Sequence, residues 1–144
     1  MKGNMAVGGW AVNAVLTLQT GTPFTVYDQN GKRADQVGNP NSGPKNTSEW
    51  FNTSAFKTAA GTQGTESRNA VRGPGTHTLD LSLFKTFALP RYGAVELRVE
   101  GFNVFNWAQY NQPNSNLGDP NFGKITGTRL NSERQVQLAA RYIF

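Results

Sequence analysis

The sequence predicts an all-β fold, an antiparallel up-and-down meander of about four long strands joined by two long loops. Four segments alternate apolar and polar residues with a period of two, which is typical of strands with two different faces. The 144 residues include 16 Gly, 15 Asn and 14 Thr, a composition that disfavours a helical bundle. No apolar run approaches the roughly 18 residues that a transmembrane helix needs.

The first alternating segment spans residues 8–19 and has apolar side chains at its even positions. The pattern resumes at Phe24 and Val26 after a Gly-Thr-Pro step at residues 21–23, which predicts one long strand that bends or bulges there. Residues 28–75 lack sustained periodicity and are rich in Gly, Pro, Asn, Ser and Thr. They are predicted to form one very long loop, which is uncommon in a compact soluble domain.

The second and third alternating segments predict a hairpin. Residues 76–89 carry apolar side chains at odd positions, as do Val95, Leu97 and Val99. The second run continues through Phe102, Val104 and Phe105 towards Tyr110. Residues that pair across an antiparallel ladder share a face, so the connecting loop must contain an odd number of residues. A three-residue loop with Gly93 in the left-handed conformation meets this requirement.

The last part of the chain again consists of a long loop followed by a strand. Residues 111–132 are rich in Asn, Pro and Gly and contain only a short strand-like piece around residues 122–128. Residues 133–144 then show the clearest alternation, with apolar side chains at even positions up to the terminal Phe144. An apolar aromatic residue at the end of a strand is unusual in a soluble protein and natural in lipid.

Together these elements predict a tight turn at one end of the meander and long loops at the other. This asymmetry, with one apolar and one polar face, is typical of an outer-membrane β-barrel. Closed barrels in lipid have at least about eight strands, since open edges leave backbone groups without hydrogen bonds. We therefore expect residues 1–144 to form a single partial barrel segment with long loops at about 28–75 and 111–132. Its open edges would pair with the remainder of the barrel or with other copies.

Several motifs follow one another along the chain. They are Trp50–Phe56, Arg68–Gly75, Leu79–Lys85, Glu100–Asn106, Phe122–Thr126 and Glu133–Phe144. In this order they resemble the C-terminal barrel segment of TonB-dependent outer-membrane receptors, most closely the Oar-like group with a carboxypeptidase-regulatory-like domain. The resemblance implies TonB-driven import of a scarce nutrient by a parent protein of the cell outer membrane.

The resemblance also implies partners for that parent protein. Tyr142 and Phe144 resemble the signal read by the barrel assembly machinery, so this machinery and outer-membrane lipid are the expected partners. No plug domain or TonB box is recognised in the chain. The segment Met1–Met5 has no apolar core of a signal peptide, so no export route is predicted for the isolated chain.

Two constellations invite a catalytic interpretation. His77 and Asp80 are three apart on one strand and so point to opposite faces, while Ser82 shares a face with Asp80, so no local triad is predicted. Paired carboxylates within Glu96–Glu100 are typical of a glycosidase. The arginine between them favours an ion-paired, water-facing wall instead, and no catalytic residue is predicted.

No metal or cofactor site is predicted. The absence of cysteine excludes a disulfide or a thiolate site. Asp28–Gly31 with Asp35 resembles a calcium loop, but Lys32 occupies a position where an oxygen ligand is expected, which favours a turn. Gly73–Gly75 lacks the lysine and the helix of a phosphate-binding loop. The net charge of +5 is dispersed along the chain, so no nucleic-acid partner is predicted.

Four aromatic residues in or beside the loops are candidates for stacking on a ligand: Trp50, Phe51, Trp107 and Tyr110. The alternative for each is a role in loop packing or in an interfacial girdle. Two other functions stay open at this point. The alternatives to a barrel segment are a soluble stand-alone all-β ligand-binding module and, with less support, a hydrolase recovered from environmental DNA.

Overall fold

A computed structural model of the protein describes residues 8–144. The segment Met1–Met5, on which the leader-peptide prediction rests, lies outside the described residues. The chain divides into two compact units. The sheet unit comprises residues 8–18, 77–108 and 131–144, and the loop unit comprises residues 19–76 and 109–130.

Eight strands and two short turns of 3-10 helix make up the regular structure of the described residues. The strands are β1 Trp10–Gln19, β2 Pro23–Phe24, β3 Asp35–Gln36, β4 Phe56–Lys57, β5 Val71–Arg72, β6 Thr76–Leu89, β7 Gly93–Phe102 and β8 Gln135–Ile143. The 3-10 turns are Pro40–Ser42 and Thr53–Ala55. The predicted all-β fold with four long strands is confirmed. Among residues 8–144, no helix is long and apolar enough to cross a membrane.

The four long strands form one sheet in the order β1, β6, β7, β8. β7 runs antiparallel to both of its neighbours. The turn between β6 and β7 has three residues, because Leu89 lies opposite Gly93, and the predicted loop length is confirmed. Gly93 has a φ of 96°, and a β-carbon there would lie 2.0 Å from the carbonyl oxygen of Ile143, so this position requires glycine.

β1 is shorter than predicted. It ends at Gln19, and Pro23–Phe24 pair instead with Val71–Arg72 of the loop unit. The prediction of one long strand bent at residues 21–23 is therefore wrong. A β-carbon on Gly21 would lie 1.8 Å from the carbonyl oxygen of Gly73, so the chain leaves the strand direction at a close backbone contact.

β7 also ends earlier than predicted, at Phe102 rather than continuing through Phe105 towards Tyr110. Asn103 adopts a left-handed conformation with a φ of 46°. Its side-chain amide donates to the carbonyl oxygens of Trp107 at 2.9 Å and of Ser132 at 2.7 Å, and its side-chain oxygen accepts from the N–H of Trp107 at 3.0 Å. These bonds hold a turn that ends the strand.

The loop unit has a hydrophobic core of its own. The buried members are Val26, Ala34, Phe51, Ala55, Phe56 and Val71, with Phe24, Trp50, Leu117 and Phe122 packed against them. The rings of Phe24, Phe56 and Phe122 lie 5.2–5.7 Å from the ring of Phe51 in edge-to-face contact. The short strand predicted at residues 122–128 is wrong, since this segment makes only isolated bridges, from Phe122 to Asn114 and from Thr128 to Tyr110.

Candidate functional site

The register of β6, β7 and β8 gathers their apolar side chains on one face of the sheet. Leu83 lies opposite Val99, and Val99 lies opposite Leu138. Because opposed residues share a face, the apolar pattern extends across three strands. The members of this apolar face are Leu81, Leu83, Phe87, Val95, Leu97, Val99, Val136, Leu138, Ala140 and Tyr142. Leu138 is 74% exposed, so the described sheet unit leaves this side chain uncovered.

The opposite, polar face carries a row of charges on β7. The guanidinium nitrogens of Arg98 lie 3.8 Å from Oε1 of Glu96 and 3.7 Å from Oε1 of Glu100. The ion pairing predicted for these three residues is confirmed. The guanidinium also lies 4.6 Å from the ring centre of Phe84, the residue opposite Arg98 on β6. Ser82 donates to Glu100 at 3.3 Å, so the row is hydrogen-bonded to β6 as well.

Small residues of β8 leave a depression on each face of the sheet. Ala139 lies opposite Arg98, and Ala140 lies opposite Leu97. The depression on the polar face measures about 190 Å³ and is lined by Glu96, Arg98, Ala139 and Arg141. The larger one, of about 370 Å³, is lined by Leu97, Arg98, Val99, Leu138, Ala139 and Ala140. β8 is an edge strand of the described sheet, so both gaps lie at an edge.

Lys85 is the charged residue in the alternating apolar pattern of β6. Its Nζ donates to the carbonyl oxygen of Gly8 at 2.5 Å and lies 4.7 Å from the ring centre of Trp10 and 5.5 Å from that of Phe87. The side chain is buried by these contacts. Two aromatic rings and a carbonyl oxygen therefore compensate its charge.

An apolar face that stays exposed, opposite an ion-paired polar face, is the pattern of a membrane-spanning sheet. The sequence model of the family described as "Outer membrane beta barrel domain" matches residues 3–137. The chain belongs to this family. Searches of curated proteins and of solved structures return no significant match. Membership indicates an outer-membrane protein, as the sequence predicts.

Within this barrel protein, the four candidate aromatic residues occupy different environments. Phe51 has no exposed surface, because it lies at the centre of the loop-unit core, and its ring is not accessible to a ligand. Trp50 is half-buried, and its indole N–H donates to the carbonyl oxygen of Arg72 at 2.8 Å. Tyr110 is also half-buried in the loop unit, where it bridges to Thr128.

Trp107, the fourth candidate, belongs to the sheet unit of the barrel chain. Its ring centre lies 5.3 Å from that of His77 and 4.8 Å from that of Phe105. Phe105 is 60% exposed. The three rings form an aromatic cluster, so the ligand role of Trp107 stays a prediction beside a packing role that the structure shows directly.

The proposed assembly signal lies at the C-terminal end of β8. The hydroxyl of Tyr142 donates to the carbonyl oxygen of Tyr92 in the tight turn. The rings of Tyr142 and Phe144 are 6.2 Å apart, and Phe144 is fully exposed. An exposed terminal ring is available to a partner, and its recognition by the assembly machinery stays a prediction.

The residues weighed for catalysis and for metal binding have separate partners. Oδ1 of Asp80 accepts from the N–H of Asn103 at 2.8 Å, whereas the ring of His77 packs against that of Trp107 in a tilted arrangement. Asp28 accepts from the N–H groups of Asn30 at 2.9 Å and of Lys32 at 3.0 Å, as the predicted turn requires. Within residues 8–144, no group of three His, Cys, Asp or Glu residues is arranged to hold a metal ion.

One ionisable residue of the loop unit is missing from the sequence predictions. Glu66 is buried, and both of its carboxyl oxygens accept from the N–H of Val26, at 2.9 and 3.2 Å. Burial raises the pKa of Glu66 to about 7. It lies in a polar stretch without periodicity, so the sequence contains no signal that separates it from an exposed loop residue.

Proposed function

We propose that this chain contributes wall and outer loops to a TonB-dependent receptor that imports a nutrient across the outer membrane. The observation that carries the proposal is the two-faced sheet. Val99 and Leu138 represent its exposed apolar face, and the Glu96–Glu100 row represents its ion-paired polar face. In a barrel of this family, the apolar face contacts lipid and the polar face lines the interior.

The TonB-dependent part of the proposal is supported by the motifs that resemble this receptor group. Several motif residues have clear structural roles in this chain. Phe51 of Trp50–Phe56 lies at the centre of the loop-unit core, and Asn103 of Glu100–Asn106 ends β7. Side chains with such roles are costly to replace, which explains why a receptor of this architecture would carry them at these positions.

The loop unit supports a role in ligand capture. Long outer loops with a packed core present a defined surface. Because these loops are already ordered, binding of a ligand does not have to supply the free energy of ordering them. Trp50 and Tyr110 are the half-buried aromatic residues of this unit that we propose for contact with a ligand, and Trp107 is the candidate of the sheet unit.

The partners of the chain follow from its edges. β1 and β8 are the edge strands of the described sheet. Unpaired backbone groups cannot be satisfied in lipid, so both edges require neighbouring strands. We propose that the remaining strands of the same barrel supply them, and that lipid covers the apolar face.

We assign no catalysis to the chain. The side chains considered for a hydrolase have partners that explain their presence: His77 packs against Trp107, Asp80 accepts from Asn103, and Glu96 and Glu100 flank Arg98. Substitution of His77, Glu96 and Glu100 by alanine, one at a time, tests this assignment. A hydrolytic activity of the purified chain that is lost in one of these variants would contradict it.

The coding sequence on both sides of these residues tests the receptor assignment. We expect an in-frame upstream region that encodes further alternating strands, a plug domain and a TonB box. A complete reading frame without a plug domain would contradict TonB-dependent import and would leave the outer-membrane barrel intact.

A soluble binding module is the second candidate, favoured by one observation. The loop unit has a hydrophobic core that does not need lipid to form, centred on Phe51. Size-exclusion chromatography with circular dichroism separates the two proposals. A monodisperse, β-rich species in buffer without detergent would favour the soluble module.

A further inference from the structure

Glu66 is inserted into a hairpin of the loop unit. The N–H of Ala34 donates to the carbonyl oxygen of Val26 at 3.0 Å, which forms one bond of an antiparallel pair. Glu66 replaces the second bond. Its carboxyl accepts from the N–H of Val26, and its own N–H donates to the carbonyl oxygen of Ala34 at 3.1 Å.

The backbone next to Glu66 also lies directly against this hairpin. A β-carbon on Gly64 would lie 2.0 Å from the carbonyl oxygen of Arg33 and 2.1 Å from that of Ala34. The carboxyl, the N–H of Glu66 and the close approach at Gly64 therefore attach residues 64–66 to the hairpin of residues 26–34.

The carboxyl of Glu66 has little that stabilises a negative charge. The residue is 1% exposed, and the single N–H of Val26 serves both oxygens. Arg33 is the charged residue that faces it, and its Nη1 donates to the backbone oxygen of Glu66 at 3.0 Å. An ionised carboxyl in this position loses most of its hydration and does not form a salt bridge with Arg33 in return.

Three other charged side chains of the surrounding segments, Asp28, Lys32 and Arg72, form hydrogen bonds of their own. Oδ1 of Asp28 accepts from the N–H groups of its turn, and Nζ of Lys32 donates to the carbonyl oxygen of Gly61 at 3.2 Å. Oδ2 of Asp28 is buried and has no hydrogen-bond partner within residues 8–144. Nη1 of Arg72, on the neighbouring β5, donates to the carbonyl oxygen of Gly21 at 3.3 Å. Lys57 and Arg68 are exposed on the segment that contains Glu66.

We propose that Glu66 is a proton-dependent clamp: the neutral carboxyl holds residues 64–66 on the hairpin of residues 26–34, and ionisation releases them. On release, the proton passes to solvent and the carboxylate regains its hydration. The clamp is part of the loop unit alone, so this inference does not depend on the TonB assignment.

The direction of the pH effect follows from linkage. Burial raises the pKa of Glu66 from 4.5 to about 7 in the closed unit. Between these values, the closed form binds more protons than the open form, so closing becomes less favourable as the pH rises. Below pH 4.5 the neutral carboxyl contributes its full stabilisation to the closed form, and above about pH 7 this contribution is lost. We therefore expect the loop unit to loosen as the surroundings change from mildly acidic to mildly alkaline.

Hydrogen exchange of the full, folded chain tests the clamp. Amide protection is measured by mass spectrometry between about pH 5 and pH 8, with correction for the intrinsic exchange rate at each pH. The protection of the Val26 and Glu66 amides should fall at least about tenfold over this range, because each unit of pKa shift changes the opening equilibrium tenfold. Protection that is constant over this range would overturn the proposal.

Two variants separate the clamp from general loosening. Glu66→Gln keeps the shape and the acceptor oxygen but cannot ionise, so we expect high protection at both ends of the pH range. A Glu66→Gln chain that retains the pH response, or that is open throughout, would overturn the proposal.

Asp35→Asn is the matched control, because the Asp35 carboxyl accepts from the backbone N–H groups of Ala60 at 3.0 Å and Thr65 at 2.9 Å in the same segment. It should weaken protection and keep the pH response, and loss of the response would overturn the role of Glu66.

Discussion

Val99 of β7 lies directly opposite Leu138 of β8, and both side chains are on the apolar face of the sheet. One residue earlier, Arg98 lies opposite Ala139 on the polar face. A shift of the register by one residue would bring charged side chains to the apolar face. The pairing of these strands thus keeps the apolar and the polar side chains on separate faces of the sheet.

A charge on the apolar face should oppose insertion into a bilayer. We expect Leu138→Lys to destabilise the inserted state by about 2–4 kcal/mol, because position 138 lies in the middle of β8 and a lysine at the centre of a bilayer loses its hydration. The measurement is the free energy of unfolding from phosphocholine bilayers by urea titration. Gln137→Lys, on the polar face, is the matched control and should change this free energy little. An equal effect of both substitutions would contradict the assignment of the two faces.

Asn103 should be important for the stability of the sheet unit. It is buried and forms three side-chain hydrogen bonds, whereas Asn106 accepts a single bond from the N–H of Arg134 at 2.9 Å. Both residues have a positive φ, so alanine introduces similar backbone strain at either site. We expect Asn103→Ala to cost about 2–4 kcal/mol and Asn106→Ala clearly less, as measured by chemical denaturation. Equal losses would indicate that backbone conformation alone determines the effect.

Phe51 should determine the stability of the loop unit. Its buried ring contacts three other aromatic rings, and Phe51→Ala leaves a cavity that costs about 3–5 kcal/mol. Amide exchange in residues 19–76 should then increase. Val37→Ala is the control and should change this exchange little, because the Val37 side chain is 54% exposed. If Phe51→Ala leaves exchange in these residues unchanged, the proposed core is wrong.

Asp35 should respond to acid, in contrast to Glu66. Hydrogen bonds from the backbone N–H groups of Ala60 and Thr65 lower the pKa of Asp35 from its ordinary 3.8. The stabilisation is therefore present above this value and is lost as the pH falls through the lower pKa of the folded state. In the Glu66→Gln variant, which cannot release residues 64–66 by ionisation, amide exchange at Ala60 and Thr65 should accelerate, relative to the intrinsic rate, only in this acidic range. Acceleration of exchange at these two amides near neutral pH in this variant would contradict the assignment.

The long strands could be predicted from the sequence because each has a regular pattern along its length. The bounds of β6 agree with the predicted residues 76–89, and the shared face of β6 and β7 predicts the three-residue turn. The apolar face follows from the same alternation. These features depend on residues close to one another in the chain, and a period of two specifies them.

The ends of the strands and the interior of the loop unit depend on distant residues. β1 ends where Gly21 approaches Gly73, and β7 ends where Asn103 bonds to Trp107 and Ser132. Neither partner can be identified from a local pattern. The core around Phe51 and the burial of Glu66 likewise arise from contacts between segments that have no periodicity.

Site-specific labelling along β8 tests the two-faced barrel wall most directly. The chain contains no cysteine, so single cysteines can be placed at each position from 135 to 143 without removing a native one. After insertion into lipid bilayers, spin labels at Val136, Leu138, Ala140 and Tyr142 should collide with oxygen dissolved in the lipid. Labels at the alternate positions should collide with a water-soluble relaxation agent. A uniform profile along β8, or the reverse alternation, would contradict the assignment of this sheet to the wall of an outer-membrane barrel.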